Sequence, residues 1–141
     1  MSGEYAILLR KRALGAFKWA KRACDENDYD MCALNAEYAV QLYLKSLLYR
    51  VRGEEVRGHN IRELFSLLAA SLMEQGMEDL AREIMEYIRK HRRELTELSE
   101  AHTRAVYGLV EYGEKEAKLL LKIAEQVLSK LRELEERLFG G

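Results

Sequence analysis

Three residues near the end of one helical segment, His102, Arg104 and Tyr107, have the types expected of a functional site. Residues three apart share a helix face, so Arg104 and Tyr107 are expected to lie together while His102 points elsewhere. An Arg guanidinium can hold a phosphate through two parallel hydrogen bonds. The pattern therefore indicates a phosphate or nucleotide contact, in which Tyr107 stacks or donates its hydroxyl. The structural alternative pairs Arg104 with a carboxylate such as Glu100 or Glu111.

Further candidate ligand-binding residues lie upstream. Gln41 and Lys45 are four residues apart, on the semi-polar edge of a helical pattern. They either line a binding site, or Lys45 only covers apolar surface with its methylene chain. His59 is a ligand, a base or a structural residue. Its position directly before Asn60, which begins a helix, favours a hydrogen bond to the end of the preceding helix.

Basic residues cluster on the first helical segment, where every charge between Glu4 and Asp25 is positive. More arginines surround the link near residue 53. Clustered Lys and Arg can follow a nucleic-acid backbone whatever the overall charge. Charge-rich helix faces are more often simply solvated, so RNA binding here is one of two interpretations. The residues are Arg10, Lys11, Arg12, Lys18, Lys21, Arg22, Arg50, Arg52, Arg57 and Arg62.

The composition indicates a helical protein. The chain has 141 residues, no proline and nine glycines, which lie mostly at segment ends. Proline marks turns and helix ends, so its absence favours an all-α fold. The net charge of -1 gives no global attraction to nucleic acid or anionic membranes. The few Asn and Gln residues beside many Arg, Glu and Lys hint at a thermophilic source.

The sequence also predicts the cellular location of the protein, the state of its cysteines and the absence of a metal or cofactor. No apolar run reaches the roughly 18 residues of a membrane span, and no signal peptide is visible, so we expect a soluble cytoplasmic protein with no membrane partner. Cys24 and Cys32 flank a predicted turn; a disulfide is conceivable, but a reducing cytosol favours free buried thiols. No phosphate-binding glycine loop or metal-ligand spacing is present, so we expect neither a metal nor a cofactor.

Apolar residues at helical spacing predict five helices in a single domain over residues 1–141. Short links imply antiparallel neighbours, so the expected fold is an up-and-down bundle of four to five helices. Asn27 or Asp28 is expected to cap the second helix, and Asn60 with Glu63 forms a capping box for the third. The fourth helix should end or bend at Tyr107-Gly108 or Tyr112-Gly113. The predicted helices span about 4–26, 28–52, 61–76, 77–102 or beyond, and 114–138.

Two motifs give the chain a family resemblance. A-V-Q-L-Y-L-K-S-L-L at 39–48 is followed by a glycine-containing link and by H-N-I-R-E-L at 59–64. T-R-A-V-Y at 103–107 then precedes an Ala/Leu-rich last helix. This order resembles the HEPN family of small prokaryotic helical bundles, with Gln41 in place of the usual Glu. The resemblance covers roughly residues 6–130 and is closer in its first half.

The resemblance implies a homodimer that acts with a minimal nucleotidyltransferase as a toxin–antitoxin pair, and that binds nucleotide or RNA. In such a dimer Gln41 and Lys45 would line the cleft facing Arg104. A partner nucleotidyltransferase would be able to modify Tyr107 or Tyr112.

Some HEPN proteins are metal-independent ribonucleases, and this resemblance leaves the question of catalysis open. Their motif is an Arg followed after four to six residues by a His, but no His follows His102 in this chain. A ribonuclease would instead have to use Arg104 with His102 or His59. Binding is therefore favoured over catalysis. A third alternative is a non-catalytic dimerisation or interaction module.

Overall fold

The computed structural model describes residues 2–140, which form six α-helices and no strand. The all-α bundle expected from the sequence is therefore confirmed. None of these helices is long and apolar enough to cross a membrane. The helices are α1 (Ser2–Asp25), α2 (Tyr29–Arg52), α3 (Ile61–Glu74), α4 (Glu78–Lys90), α5 (Arg92–Tyr107) and α6 (Glu114–Phe139).

Helix α2 is the centre of the bundle. It contacts α1, α3, α5 and α6, so both its faces are covered by other helices. Tyr43, Leu44, Leu47 and Leu48 are almost completely buried along it. Full burial of an apolar side chain of this size contributes about 1.5–3 kcal/mol. The polar residues of α2 are consequently held on a well-packed helix.

Helix α1 lies antiparallel along α2. The rings of Tyr5 and Tyr49 are 4.9 Å apart at one end, and Cys24 lies beside Cys32 at the other. Alanines such as Ala13 form the buried side of α1, which allows the two helices to approach closely.

Helix α6 runs parallel to α2. The Cys32 sulfur lies 3.8 Å from the carbonyl oxygen of Ala117, and further along both helices the Tyr43 hydroxyl donates to Glu135 Oε1 at 2.6 Å. Arg10 of α1 also contacts the Glu135 carboxylate, at 3.0 Å. Helix α1 is therefore antiparallel to α2, and α6 is parallel to it.

The expectation that short links join antiparallel neighbours is wrong for α2 and α3: His59, before α3, contacts Gln41 in the middle of α2, and Gln75, after α3, donates to the carbonyl of Val51 near the end of α2, so α3 runs in the same direction as α2.

The predicted fourth helix is in fact two helices, so the prediction of one continuous helix over 77–102 was wrong. The backbone of His91 leaves helical geometry (φ -109°, ψ 26°), and its N–H still bonds to the carbonyl of Tyr87. The rings of Tyr87 and His91 are 4.4 Å apart. The break separates α4, which packs mainly on α3, from α5, which packs mainly on α2. No glycine or proline marks this position.

The α1–α2 turn differs from the prediction in two ways. Cys24 and Cys32 form a disulfide rather than free thiols, because the turn brings their Cα atoms to 5.2 Å, within bridging range. Asn27 adopts a left-handed conformation (φ 64°) there. Asp28 precedes α2 but makes no side-chain cap; its own N–H bonds to the carbonyl of Ala23 at 2.8 Å instead.

The links around α3 and after α5 follow the predicted signals. Gly53 ends α2 in a left-handed conformation that favours glycine (φ 76°). Asn60 caps α3, since its Oδ1 accepts the Glu63 N–H at 3.1 Å. Helix α5 ends at Tyr107 and Gly108, one of the two expected positions.

Candidate functional site

A cavity of about 390 Å³ lies between α2, the start of α3 and α5, and we call it the α2–α5 cavity. Its volume is within the usual range for small-molecule sites. The lining side chains come from three segments that are distant in the sequence. They are Glu37, Tyr38, Gln41, His59, Asn60, Ser99, His102 and Thr103.

The buried charge of the cavity is Glu37, which is 1% exposed. Its Oε2 accepts a hydrogen bond from Gln41 Nε2 at 2.8 Å, and its Oε1 lies 3.2 Å from Nδ1 of His102. Burial raises the pKa of the Glu37 carboxyl, whereas Gln41, His102 and Lys45 favour its charged form. The Glu37 carboxylate therefore connects α2 to His102 of α5 and also contacts Gln41, one turn further along α2.

His59 reaches the cavity from the link before α3. Its Nδ1 lies 3.0 Å from Gln41 Oε1 and 3.5 Å from Lys45 Nζ. Because Gln41 directs its amide nitrogen to Glu37, its oxygen faces His59 and needs a donor there. We therefore assign the proton to Nδ1 of His59. The contact is to the middle of α2 and not, as predicted, to its end.

The two histidines of the cavity share one feature. In each, Nδ1 is held by a polar side chain of α2: Gln41 for His59 and Glu37 for His102. An imidazole that carries its single proton on Nδ1 has a free lone pair on Nε2. Each ring can thus accept a proton at Nε2, or donate from Nε2 when it is protonated.

Lys45 lies beside the cavity, next to His59, while Ser99 and Tyr38 line it. Burial lowers the pKa of Lys45, against the opposing effect of the Glu37 and Glu55 charges. The Oγ atom of Ser99 is buried and has no hydrogen-bond partner among the described residues. Leaving a buried hydroxyl unpaired costs about 1–3 kcal/mol, which a bound ligand would offset. Tyr38 is 43% exposed on the rim.

Arg104 lies in a separate depression of about 270 Å³ between α5 and α6. Its guanidinium forms an ion pair with Glu116 at 2.9 Å and lies 4.0 Å from the ring centroid of Tyr112. The hydrogen bond to Glu116 raises the pKa of Arg104. The carboxylate partner is thus on α6, and not Glu100 or Glu111 as the structural alternative proposed.

The structure brings together four of the six candidate site residues: Gln41, Lys45, His59 and His102. Arg104 is not among them, because within one chain it lies in the depression between α5 and α6. Tyr107 is 77% exposed at the end of α5 and does not line the cavity.

Sequence reasoning missed Glu37, Tyr38 and Ser99 as members of this site. For Glu37 a signal existed, because a lone acid in the apolar stripe of a central helix, one turn before Gln41, is expected to be buried with a partner. Nothing in the sequence marked Ser99. Among residues 2–140, no group of three or more His, Cys, Asp or Glu side chains is placed to hold a metal ion.

Comparison with known families identifies the fold. The model of the HEPN domain family matches residues 6–134, a span that includes every residue of the α2–α5 cavity. The chain belongs to the HEPN family. Searches among curated proteins and among solved structures gave no significant match. The HEPN match confirms the family that the motifs at 39–48 and 59–64 indicate.

Proposed function

We propose that this HEPN protein is a homodimer that binds a nucleotide or RNA and acts with a minimal nucleotidyltransferase in a toxin–antitoxin-type system. Its membership of the HEPN family, whose domains often dimerise, supports the dimer. The nucleotidyltransferase partner and the toxin–antitoxin role follow from the family resemblance. The ligand is argued from the α2–α5 cavity. The observation that carries this part is the pair of histidines whose Nδ1 atoms are both held by α2.

The phosphate of the ligand would bind between His59 and His102. Each protonated imidazole would donate a charge-assisted hydrogen bond from Nε2, and the ammonium of Lys45 lies on the His59 side. The Glu37 carboxylate holds the His102 ring in position through its contact with Nδ1. The half-exposed ring of Tyr38 is available to stack on the base.

Arg104 and Tyr107 form a second part of the proposed binding surface. The Arg104 side chain is 41% exposed despite its ion pair, and Tyr107 projects beyond α5. Neither lines the α2–α5 cavity, so neither contacts a mononucleotide in this proposal. A longer RNA, or a ligand shared with the second protomer, would reach them.

The test is a calorimetric titration with 5′-AMP of the wild-type protein and of His59→Gln and His102→Gln. We expect each of these substitutions to weaken binding about ten-fold or more, as for loss of a hydrogen bond to a charged group. The matched control is His91→Gln, since His91 bonds to Glu94 outside the cavity. Equal affinity in all four proteins would exclude the assignment of the ligand to this cavity.

A second candidate function is metal-independent RNA cleavage. It is favoured by the same histidine pair, because both rings have Nε2 available for proton transfer. One neutral imidazole would take the proton of a ribose 2′-hydroxyl as its oxygen attacks the phosphorus. The other, protonated, would give its proton to the departing 5′-oxygen, leaving a 2′,3′-cyclic phosphate. Histidines on two segments thus replace the missing Arg/His motif, and Arg104 does not take part within one chain.

Cleavage is tested by incubating the protein with RNA in the presence of EDTA, for the wild type, the two cavity variants and Arg104→Ala. A ribonuclease would yield cyclic-phosphate ends, lost in His59→Gln and His102→Gln and retained in Arg104→Ala. Intact RNA together with nucleotide binding supports the non-catalytic function. A dimer by light scattering that binds neither nucleotide nor RNA would instead be a plain interaction module.

A further inference from the structure

The outward side of α1 presents a strongly basic surface that the α2–α5 cavity does not use. Trp19, the single tryptophan of the chain, is 55% exposed within it. The charged residues around it are exposed to solvent. We define the α1 basic face as Lys11, Arg12, Gly15, Lys18, Trp19 and Arg22.

The basic residues of this face have no acidic partner. Lys11, Arg12, Lys18 and Arg22 form no ion pair in the part of the chain that the structure describes. In a protein with a net charge of -1, this is a local concentration of unpaired positive charge. Such a surface attracts an anionic partner.

The positions of the basic and apolar side chains around α1 restrict the class of molecule that this partner belongs to. At 3.6 residues per turn, Lys11, Lys18 and Arg22 follow one line along the outward side. Leu14 lies on one flank of this line and Trp19 on the other. A helix that lies in a bilayer has its apolar and basic residues on opposite faces, which is not the case here. A second copy docked on this face about a two-fold axis would bring like charges together.

Two basic side chains lie close to the ring of Trp19. The Arg22 guanidinium lies 5.2 Å from the Trp19 ring centroid and the Lys18 ammonium 5.9 Å from it. A line of cations with an adjacent exposed aromatic ring is how proteins hold single-stranded nucleic acid, with phosphates on the cations and a base on the ring.

Gly15 lies in the middle of this face, one turn from both Lys11 and Trp19. A glycine inside a helix is less favourable than alanine. No atom outside its local helix backbone lies within 4 Å of the position that a Cβ would occupy, so packing within the chain does not require it. Its missing side chain leaves a flat area beside the Trp19 ring where a ribose or base can approach.

We propose that the α1 basic face binds single-stranded RNA. Lys11, Lys18 and Arg22 contact successive phosphates, and a base stacks on Trp19. The inference rests on the proposed function and deepens it, because it adds a surface for an RNA strand to the cavity that binds a nucleotide.

The experiment follows the fluorescence of Trp19 while an oligouridylate of about 12 nucleotides, within the usual size of such sites, is added at several KCl concentrations. Stacking should quench the emission. The variant Lys11→Glu/Lys18→Glu should bind at least ten-fold more weakly, with a log–log salt slope reduced by about 0.7 for each lost contact. The control Lys115→Glu/Lys122→Glu makes the same charge change on exposed positions of α6 and should bind like the wild type.

Polarisation of a labelled oligouridylate then measures Trp19→Ala, for which we expect a loss of about ten-fold or more. Equal affinity of the two charge-reversal variants, or no quenching by RNA, would overturn the proposal. A blue shift with phosphatidylglycerol vesicles, without any effect of RNA, would assign the face to lipid instead.

RNA binding by the α1 basic face and nucleotide binding by the α2–α5 cavity can be refuted independently of each other. The α1 variants should bind 5′-AMP as the wild type does, whereas His102→Gln should bind 5′-AMP about ten-fold or more weakly and still show RNA-dependent quenching of Trp19. Loss of 5′-AMP binding in the α1 charge-reversal variant would contradict a separate RNA surface.

Discussion

Nδ1 of His102 lies 3.2 Å from Oε1 of Glu37, a carboxylate buried on the central helix. The other oxygen of the same carboxylate accepts from Gln41, whose amide oxygen faces His59. A single buried acid thus connects both histidines of the cavity. Because a buried charge without partners is costly, these contacts also fix the positions of the two rings.

Replacing this acid should change how stability depends on pH. Burial raises the pKa of Glu37 above its ordinary 4.5, so the folded protein holds this proton more tightly than the unfolded chain does. Protonated Glu37 therefore makes its full contribution to the free energy of unfolding below pH 4.5. That contribution is lost as the pH rises through the raised pKa. Glu37→Gln should therefore lose less unfolding free energy than the wild type between pH 4.5 and 8, as urea denaturation measures. The exposed control Glu136→Gln should follow the wild type, and identical curves for Glu37→Gln would contradict the buried carboxylate.

The hydrogen bond between Tyr43 and Glu135 should contribute measurably to stability. Tyr43→Phe leaves the buried Glu135 carboxylate without its 2.6 Å donor, although Arg10 remains. We expect a loss of about 1–3 kcal/mol in the free energy of unfolding. Burial, followed by this hydrogen bond, raises the pKa of Tyr43 to about 12. Tyr38→Phe, at a half-exposed tyrosine, should change stability little, and equal losses in both variants would refute the assignment.

Glu83 should contribute to stability above its pKa. Hydrogen bonds from Arg137 and Lys130 lower that pKa from 4.5 to about 2. The stabilisation is therefore present above pH 4.5 and is lost as the pH falls through about 2. Because these groups are partly solvent-exposed, we expect Glu83→Gln to cost at most about 1 kcal/mol at pH 7.

Thermal unfolding at pH 7, 4.5 and 2.5 measures this effect. The difference between wild type and Glu83→Gln should shrink at the lowest pH. Glu125→Gln, on the exposed side of α6, serves as the control. A difference that stays constant across the three pH values would rule out the ionic origin.

The disulfide between Cys24 and Cys32 should stabilise the α1–α2 turn. The two residues are 8 apart in sequence, and closing a loop of this size contributes about 2–3 kcal/mol in the chain-entropy account. Dithiothreitol should lower the unfolding midpoint of the wild type in urea. The double variant Cys24→Ser/Cys32→Ser should unfold at the lower midpoint with or without the reductant. An unchanged wild-type midpoint would show that the bridge does not stabilise the fold.

Apolar spacing was enough to predict most of the fold. The pattern of α2 identified the central helix because its buried residues recur along the sequence itself. The break at His91 gave no such signal, since the tertiary packing of α5 on α2, rather than a glycine or proline, ends α4 there. The disulfide was missed because the choice between thiol and bridge depends on the geometry of the turn.

The candidate site was predicted in part. Gln41 and His59 were identified as residues of the right type, but their contact joins a helix to a link 18 residues away. The partner of Arg104, Glu116, lies on another helix, and only the assembled bundle shows which carboxylate it reaches. Residue types can be read along the chain, whereas partners across helices require the packed structure.

The most direct test of the central claim is an NMR titration with 5′-AMP that follows the imidazole Cε1–H signals. The chain has three histidines, so His91 is an internal control for His59 and His102. If the α2–α5 cavity binds the nucleotide, the signals of His59 and His102 should move together to saturation while that of His91 stays fixed. If neither cavity signal moves, or if all three move equally, the nucleotide does not bind in this cavity.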